Sequence, residues 1–473
     1  LFDISFQFSF TAVLSIIYIV PLLKDMPSKK FPSIPLWIQK TAGYVYLSII
    51  VCIAATLGTL PLVMYYFNRV SLVSIPANLV AVPLLGTATL TIAMLFILFS
   101  PFSPEIAGYF IRLASFLAQI SIDFIHKLAS SEWSSISVFK PNYIEIALYY
   151  LSVYLVFQLI KAKQKKKIDA LPLAFPLYKY TLIGIAVFFA ADIAYDSFRD
   201  KLSSDLKITV IDVGQGNAIH VKFPGGSNML IDGGGFSESS FDTGRNIIAP
   251  FLYHERIRQL DTVVLSHPHP DHLLGLVYMM NNFNVRKLWK TDLPVDAVEY
   301  PQWEKAVKTN KIENVMLSDQ SPEIMRNGVR IIVLWPPPSA APEKGSLSYD
   351  GVNDTSLVLK ITYGKISFLM PADISSGIEK RMIESGEDLK SDVLIVPHHG
   401  SNQSSSPDFI KAVSCRWAAV SAGYSNIFKH PHPHVLRRYK DAGAEIFRTD
   451  LDGSIRFITD GNNLHIQTFI QSR

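Results

Sequence analysis

Long apolar runs fill the chain up to about Asp200 and then stop. A bilayer core of about 30 Å takes roughly 20 apolar helical residues to cross. Phe6 to Leu23, Gly43 to Phe67, Leu72 to Phe99, Tyr143 to Ile160 and Leu177 to Phe198 each read as such a span. A buried helix of a soluble protein fits each of them less well. Glu105 to Ala129 differs, because Glu105, Arg112, Asp123, His126 and Lys127 interrupt its apolar stripe. That pattern suits an amphipathic helix at the interface or facing a polar cavity. The expectation for residues 1–200 is an all-α, polytopic membrane domain. Residues 201–473 read as a separate soluble α/β domain, and 473 residues are more than one ordinary domain holds.

Composition adds limits rather than answers. The hydrophobic share of 49% averages over two unlike halves. A net charge of only +4 does not announce a polyanion ligand, so nucleic acid must be argued from a site. Cys52 and Cys415 fall in different halves and imply neither a disulfide framework nor a thiolate zinc site. The chain opens at Leu1 directly into an apolar stretch, which reads as a truncated N-terminus with no signal peptide.

Within the third run, VSIPANLVAVPLLG carries Pro76, Asn78 and Pro83, which stand as channel candidates. Prolines inside a membrane helix free carbonyls that need other partners, and broken backbone is tolerated where protein or a water-filled cavity supplies them. A re-entrant or discontinuous helix and an ordinary proline kink both fit. The lysines between Lys161 and Lys167 form the densest basic cluster, which the positive-inside rule puts in the cytoplasm. The loop from Lys24 to Lys30 is the second candidate for that side. Four crossings separate the two loops if the amphipathic helix spans, and two if it and the proline-broken segment do not. Either way, the last run carries the chain outward and places the soluble half outside the cytoplasm.

From Leu206 short β-branched runs alternate with glycine turns, a strand signature. LKITVIDVGQGNAIHVKF reads as two strands joined at Gly214-Gln215-Gly216, NMLIDGGG as another, and DTVVLSHPHPDH as a strand entering a histidine-rich loop. Further strands are expected at Val329 to Leu334, Ser356 to Thr362, Ile366 to Met370, Val393 to Val396 and Trp417 to Ser421. Helices are expected at Asp271 to Asn281, Ser376 to Ser385, Pro407 to Val413 and His434 to Ala442. The order suggests two stacked sheets with helices outside.

Three clusters at strand exits carry chemistry. His267-Pro-His269-Pro-Asp271-His272 packs three imidazoles and a carboxylate into six residues, a nitrogen and oxygen ligand density that points to metal. Asp373 is a lone carboxylate after ISFLMPA; taken alone it could equally cap the helix starting near Ser375. Val396-Pro-His398-His399-Gly400-Ser401 is the third. Three such clusters at strand ends argue for one convergent site.

DVGQG, LIDGG, SHPHPDHLLGL, NDTSLVL, the strand ending in Asp373, VPHHGS, and KHPHP followed by RTDLDGS occur in that order. This set resembles the αβ/βα metallo-β-lactamase-fold domain of the ComEC-type competence proteins, DNA-uptake channels of natural transformation. FDISFQFSF and SIPANLVAVPLLG resemble that family's membrane competence domain. The resemblance implies a multi-pass protein of the bacterial cytoplasmic membrane, lacking here the usual N-terminal soluble domain and first membrane helices. It implies two divalent ions, zinc or manganese: His267 and His269 on one, Asp271 and His272 on the other, Asp373 bridging, and His399 completing the second. Which of His398 and His399 ligates stays open. Asp354 falls where the wider fold places a third ligand for the first metal, and Asp212 is expected to orient the histidine loop from behind. Asp271, His398 and His430 are the expected catalytic set, with His430 and His432 either at the scissile phosphate or in a structural His-Pro turn. Ala372 stands where a glycine often precedes the bridging aspartate.

The implied role is hydrolysis of DNA phosphodiesters of the non-transported strand, outside the cytoplasm, while the other strand enters. Lys222, Arg245, Arg256, Arg258, Lys429, Arg437 and Arg438 offer scattered positive charge for phosphates, and no aromatic stacking motif is apparent. No P-loop is visible, so an ATP-driven motor and a DNA receptor would be separate partners. Two other readings remain: hydrolysis of another envelope phosphodiester, and a channel whose hydrolase domain is inactive.

Overall fold

A computed structural model describes residues 3–24, 35–131, 133–164, 174–236, 241–292, 300–338 and 349–470. They fall into two compact units, Leu1–Ile193 and Ala194–Arg473.

The first unit is helical: α1 Ile4–Lys24, α2 Leu36–Phe67, α3 Ser74–Ala81, α4 Leu90–Phe99, α5 Pro104–Ala129, α6 Tyr143–Gln164 and α7 Ala174–Leu202, whose last turns belong to the second unit. Six helical stretches among the described residues are long and apolar enough to cross a membrane. They include Pro104–Ala129, so the amphipathic helix, expected at the interface or facing a polar cavity, has the length and composition of a span. Two of its charged positions have partners on the same helix. Asp123 accepts from Gln119 Nε2 at 2.8 Å, and the Arg112 guanidinium lies 4.8 Å from the centre of the Tyr109 ring. Short strands β1 Arg69–Ser71 and β2 Ser135–Ser137 pair antiparallel.

The proline-bearing third run is not discontinuous. Between α3 and α4, Val82–Thr89 forms a π-helical section whose flanking residues keep right-handed helical backbone. Pro83 cannot donate its N–H, and the helix widens there instead of breaking. Asn78 and Pro83 line an apolar cavity of about 270 Å³ with residues of α2; Pro76 does not. A second proline, Pro61 inside α2, leaves the carbonyl of Leu57 without its helical donor. The Tyr149 hydroxyl on α6 donates to that carbonyl at 2.9 Å, and Tyr150 donates to the next one, Gly58 O, at 2.8 Å. At Gly58 itself a Cβ would sit 2.1 Å from Ser15 Oγ, so only glycine lets α1 and α2 approach this closely. Tyr149→Phe is expected to lower thermal stability in detergent by about 1 kcal/mol, because nothing else among the described contacts satisfies Leu57 O.

The second unit is a two-sheet sandwich. Its strands are β3 Leu206–Val210, β4 Ile219–Lys222, β5 Asn228–Ile231, β6 Gln259–Val264, β7 Asn284–Lys290, β8 Glu313–Met316, β9 Ile324–Arg326, β10 Val329–Trp335, β11 Val358–Tyr363, β12 Ile366–Met370, β13 Val393–Ile395, β14 Trp417–Val420, β15 Glu445–Arg448, β16 Ile455–Thr459 and β17 Leu464–Thr468. One sheet runs β17-β16-β3-β4-β5-β6-β7-β8, the other β15-β14-β13-β12-β11-β10-β9. Apolar side chains of both inner faces fill the space between them, with Phe368 and Phe457 meeting at 6.0 Å. A second apolar layer under the helices Ser376–Glu384, Pro407–Val413 and Pro433–Asp441 covers the outer face of the β9–β15 sheet.

Each sheet ends in a parallel block, β5 to β8 in one and β12 to β15 in the other. Open parallel sheets bind ligands beyond the carboxyl ends of their strands, and there the loops bearing the three predicted clusters emerge.

His220 on β4 is buried; its Nε2 lies 3.1 Å from Asn228 Oδ1. Burial pushes its pKa down to about 4 from 6.5. The unfolded chain therefore takes up the proton first, and stability present above pH 6.5 is lost as pH falls toward 4. That gap corresponds to about 3 kcal/mol. Acid titration of unfolding should show the native chain losing about that much more than His220→Gln between pH 6.5 and 4.

Candidate metal centre

The histidine loop is fixed by the backbone around it. His269 stands at the N-cap of the helix Pro270–Asn282, whose first turn contains Asp271. Asn217 N donates to Asp271 O at 3.1 Å and Gly233 N to His272 O at 2.7 Å. The two glycine turns after β3 and β5 thus clasp the start of this helix. At Gly275 a Cβ would lie 2.0 Å from Gly233 O, which is why the helix can seat so deeply.

Asp271, His272, Asp373 and His399 offer ligand atoms that all lie within 4.8 Å of one another. His272 Nε2 is 3.3 Å from Asp373 Oδ1, and His399 Nε2 is 3.3 Å from Asp271 Oδ2 and 3.4 Å from Asp373 Oδ2. His267 and His269 adjoin this group: His267 Nε2 lies 3.1 Å from His269 Nδ1, and the His267 and His272 rings are 4.1 Å apart.

The far nitrogens of the rings are already committed. His399 Nδ1 donates to the carbonyl of Ser421 at 2.9 Å, and His272 Nδ1 lies 2.8 Å from Asp232 Oδ2. A carbonyl can only accept, so the Nε2 lone pair of a neutral His399 faces the cluster. His267 Nδ1 is flanked by the hydroxyls of Ser266 at 3.1 Å and Ser356 at 3.2 Å. His272 Nε2, His399 Nε2 and Asp373 Oδ1 are buried and have no hydrogen-bond partner. Buried polar atoms are rarely left so. Imidazole nitrogens fixed from behind, with their other nitrogens and a carboxylate oxygen unsatisfied and convergent, fit a divalent cation.

Without an ion the cluster balances its own charge. Burial opposes a charged His272, yet Asp373, Asp232 and Asp271 outweigh it and hold the ring well above the usual histidine range. His399 is likewise pushed up to about 10, against burial, by Asp373 and Asp271. Asp373 and Asp271 are held below the usual carboxylate range, burial being overcome by those two histidines. His267 and His269 are lowered chiefly by burial and stay neutral.

Other expected residues fall differently. Asp212 accepts from Gly214 N at 3.1 Å; the carboxylate holding the histidine loop is Asp232, which also accepts from Ser266 N at 2.9 Å and Ser266 Oγ at 2.7 Å. Asp232 stood in the quoted LIDGG run, but nothing in the sequence shows that β5 lies beside β6. Asp354 Oδ1 accepts from Ser375 N at 3.1 Å, so one of its oxygens braces the loop after Asp373. Asp373 does not cap the following helix; Ser375 occupies that position. His398 Nε2 is 3.8 Å from Asp373 Oδ2, and the His398 and His430 rings are 5.9 Å apart. Burial lowers the pKa of both, His430 to about 4. His432 sits at the N-cap of Pro433–Asp441 and accepts from His434 N at 3.4 Å, a structural turn. Ala372, His398 and His399 all have positive φ, of 50°, 50° and 55°. Left-handed backbone at such residues costs about 1 kcal/mol each, which accounts for glycine being common before the aspartate. Of the expected phosphate-binding cations, Lys222 pairs with Asp200 at 2.7 Å, Arg256 pairs with Asp196, and Arg438 donates to Ser405 O at 3.0 Å. Arg245, Lys429 and Arg437 remain exposed.

The sandwich and its site define a metallo-β-lactamase-type domain, and the model of the metallo-beta-lactamase superfamily matches residues 211–423. The competence-protein model matches residues 1–163. The chain thus joins a competence-protein domain to a metallo-β-lactamase domain, and it is a multi-pass membrane protein. ComE operon protein 3 of Bacillus subtilis (strain 168) is 27% identical over 421 residues, 86% of this chain and 51% of that protein. Competence protein ComA of Neisseria gonorrhoeae is 28% identical over 410 residues, 85% of this chain and 50% of that protein. The chain thus spans about half the length of these curated relatives. Among solved structures, the metallo-beta-lactamase fold protein YhfI from Bacillus subtilis aligns at 14% identity with a TM-score of 0.35, over 52% of this chain and 96% of that one.

Proposed function

We propose that the second unit is a divalent-metal-dependent phosphodiesterase acting on DNA, tethered to a membrane unit that passes one strand during DNA uptake. The observation that carries the hydrolase reading is the convergence of Asp271, His272, Asp373 and His399 within 4.8 Å, the last three with buried ligand atoms that have no hydrogen-bond partner. What favours DNA is the membrane unit joined to it and the competence proteins to which both parts are similar.

In this reading His267 and His269 hold one ion, Asp271, His272 and His399 the other, and Asp373 serves both. Zinc and manganese both suit this nitrogen and oxygen donor set. A bound pair supplies Lewis acidity at a phosphoryl oxygen and makes water a usable nucleophile at neutral pH. The chain's own groups do the rest. Asp232 and Ser421 hold the rings of His272 and His399. His398 and His430, kept neutral by burial, can each donate or accept a proton at the mouth of the site. Asp271 completes the catalytic set as a carboxylate already ionised at neutral pH.

The six helices support four crossings between the two lysine loops, whose residues 25–30 and 165–167 lie outside the described ones. With both loops in the cytoplasm, α7 leads outward and the hydrolase works on the outer face of the cytoplasmic membrane. A DNA receptor and an ATP-driven motor are then separate partners, since this chain shows no nucleotide-binding loop.

The test is cleavage of labelled single- and double-stranded DNA by the full chain in detergent, with Mn²⁺ or Zn²⁺, with EDTA, and with His269→Ala. Cleavage that needs metal and disappears in the variant supports the reading. Bound metal with hydrolysis of other phosphodiesters but not DNA redirects it to an envelope substrate. A chain that binds no divalent ion overturns it.

A further inference from the structure

The loop from Tyr424 to Lys429, between β14 and the helix Pro433–Asp441, presents apolar side chains to solvent beside the metal centre. Tyr424 is 81%, Ile427 82% and Phe428 53% exposed. The loop is pinned from within: Asn426 Nδ2 donates to Gly423 O at 2.8 Å, and Asn426 Oδ1 accepts from His430 N at 3.0 Å. Its base is packed tightly, since a Cβ on Gly423 would lie 2.9 Å from Gln215 N. A loop held this firmly with its apolar residues outward marks an interaction site.

The ring planes show what it contacts. Phe428 stacks on His430, with 5.9 Å between centroids and an interplanar angle of 25°. The His430 ring meets His398 edge-on at 5.9 Å, and His398 Nε2 is 3.8 Å from Asp373 Oδ2. A run of aromatic planes therefore leads from solvent to the candidate catalytic centre. Exposed Lys429 stands beside Phe428 in the chain. Flat rings with an adjacent cation form the combination that holds single-stranded nucleic acid, bases on the rings and phosphate on the ammonium.

We propose that the Tyr424–Lys429 loop is a base-stacking platform for single-stranded nucleic acid, on which Phe428 positions the nucleotide next to the scissile phosphate. This rests on the phosphodiesterase reading for its place in the reaction, though not for the binding itself. Phe428 and Tyr424 are positioning residues: they set where the strand lies and leave the bond chemistry to the cluster. Ile427 extends the apolar surface, and Lys429 adds a salt-dependent contact.

The test uses the full chain in phosphatidylcholine nanodiscs and a labelled oligothymidylate. Phe428→Ala and Tyr424→Ala should each raise KM about 5- to 150-fold while kcat moves little. Phe428→Trp should restore it. An oligomer with an abasic unit at the stacked position should cost the native chain a similar factor and cost Phe428→Ala nothing further. Unchanged KM in the alanine variants and with the abasic oligomer overturns the platform. So does Phe428→Trp fluorescence quenched by brominated lipid and not by oligonucleotide, which would place the loop in the bilayer. Anisotropy of the oligomer in EDTA separates the two readings. Binding that depends on Phe428 without any cleavage supports the platform and fails the hydrolase, whereas cleavage indifferent to Phe428 fails the platform alone.

Discussion

Asp373→Ala is expected to lower the divalent-metal affinity of the full chain by at least about 100-fold and to remove metal-dependent hydrolysis with it. Removing a group that merely orients a ligand costs about 10- to 100-fold, and Asp373 faces both His272 and His399 directly, at 3.3 and 3.4 Å. The loss should be functional before it is structural. In the ion-free protein Asp373 is a buried carboxylate compensated by two histidines whose pKa values it raises. Without it the rings lose the largest of the carboxylate charges that hold them protonated, while Asp271 and Asp232 still face them and keep the remaining charge paired. Asp373→Asn, which keeps the volume, should show the same loss of metal with smaller change in thermal stability. Equilibrium dialysis with Zn²⁺ and Mn²⁺ measures the first, thermal unfolding the second. A pair of further variants decides which carboxylate orients the loop: Asp232→Ala should weaken metal binding about 10- to 100-fold, and Asp212→Ala by less. Native-like affinity in Asp373→Ala would remove it from the site.

Much of this centre was legible in the sequence because ligand chemistry is local. His267, His269, Asp271 and His272 sit within six residues, and Asp373 and His399 each follow a short apolar strand. Both the strand pattern and the histidine spacing can be read without a fold. What supports those ligands is not local. Asp232, Ser356 and Ser421 reach the rings only because β5 lies beside β6 and because the two sheets face each other. Asp212 and Asp232 both follow a strand and precede a glycine turn, so sequence alone had no means to choose between them. The membrane unit shows the same division. Apolar length announced the helices, whereas the π-helical section at Pro83 and the Tyr149 hydroxyl on Leu57 O depend on which helices pack together. The aromatic loop at Tyr424 is hidden in the sequence for a different reason: Tyr, Ile and Phe spaced along a loop look like buried residues until their exposure is known.

Gly275→Ala is expected to cost about 3 kcal/mol of stability or more and to weaken the metal site as well. The added methyl would lie 2.0 Å from Gly233 O and 2.5 Å from Thr243 Oγ1. The hydroxyl can turn away, though it then abandons its 2.7 Å hydrogen bond to that same carbonyl. The carbonyl cannot move, because Gly233 belongs to the turn that directly follows Asp232. Relief therefore requires the helix Pro270–Asn282 to lift from the sheet, and overpacking of this kind costs about 1–3 kcal/mol, occasionally more. Lifting the helix carries His272 away from Asp232, now 2.8 Å distant, and Asp271 away from His399, now 3.3 Å distant. Stability and metal affinity should fall together. Gly377→Ala is the contrast, since its methyl meets only Ser375 Oγ at 3.4 Å within a helix. It should be neutral or mildly stabilising, because alanine is preferred to glycine in helices by up to about 1 kcal/mol. Thermal unfolding and zinc titration of both variants check this. If Gly275→Ala keeps native metal affinity while losing stability, the helix has tilted about its first turn instead of lifting, and the clasp at Asn217 and Gly233 is what holds the ligands.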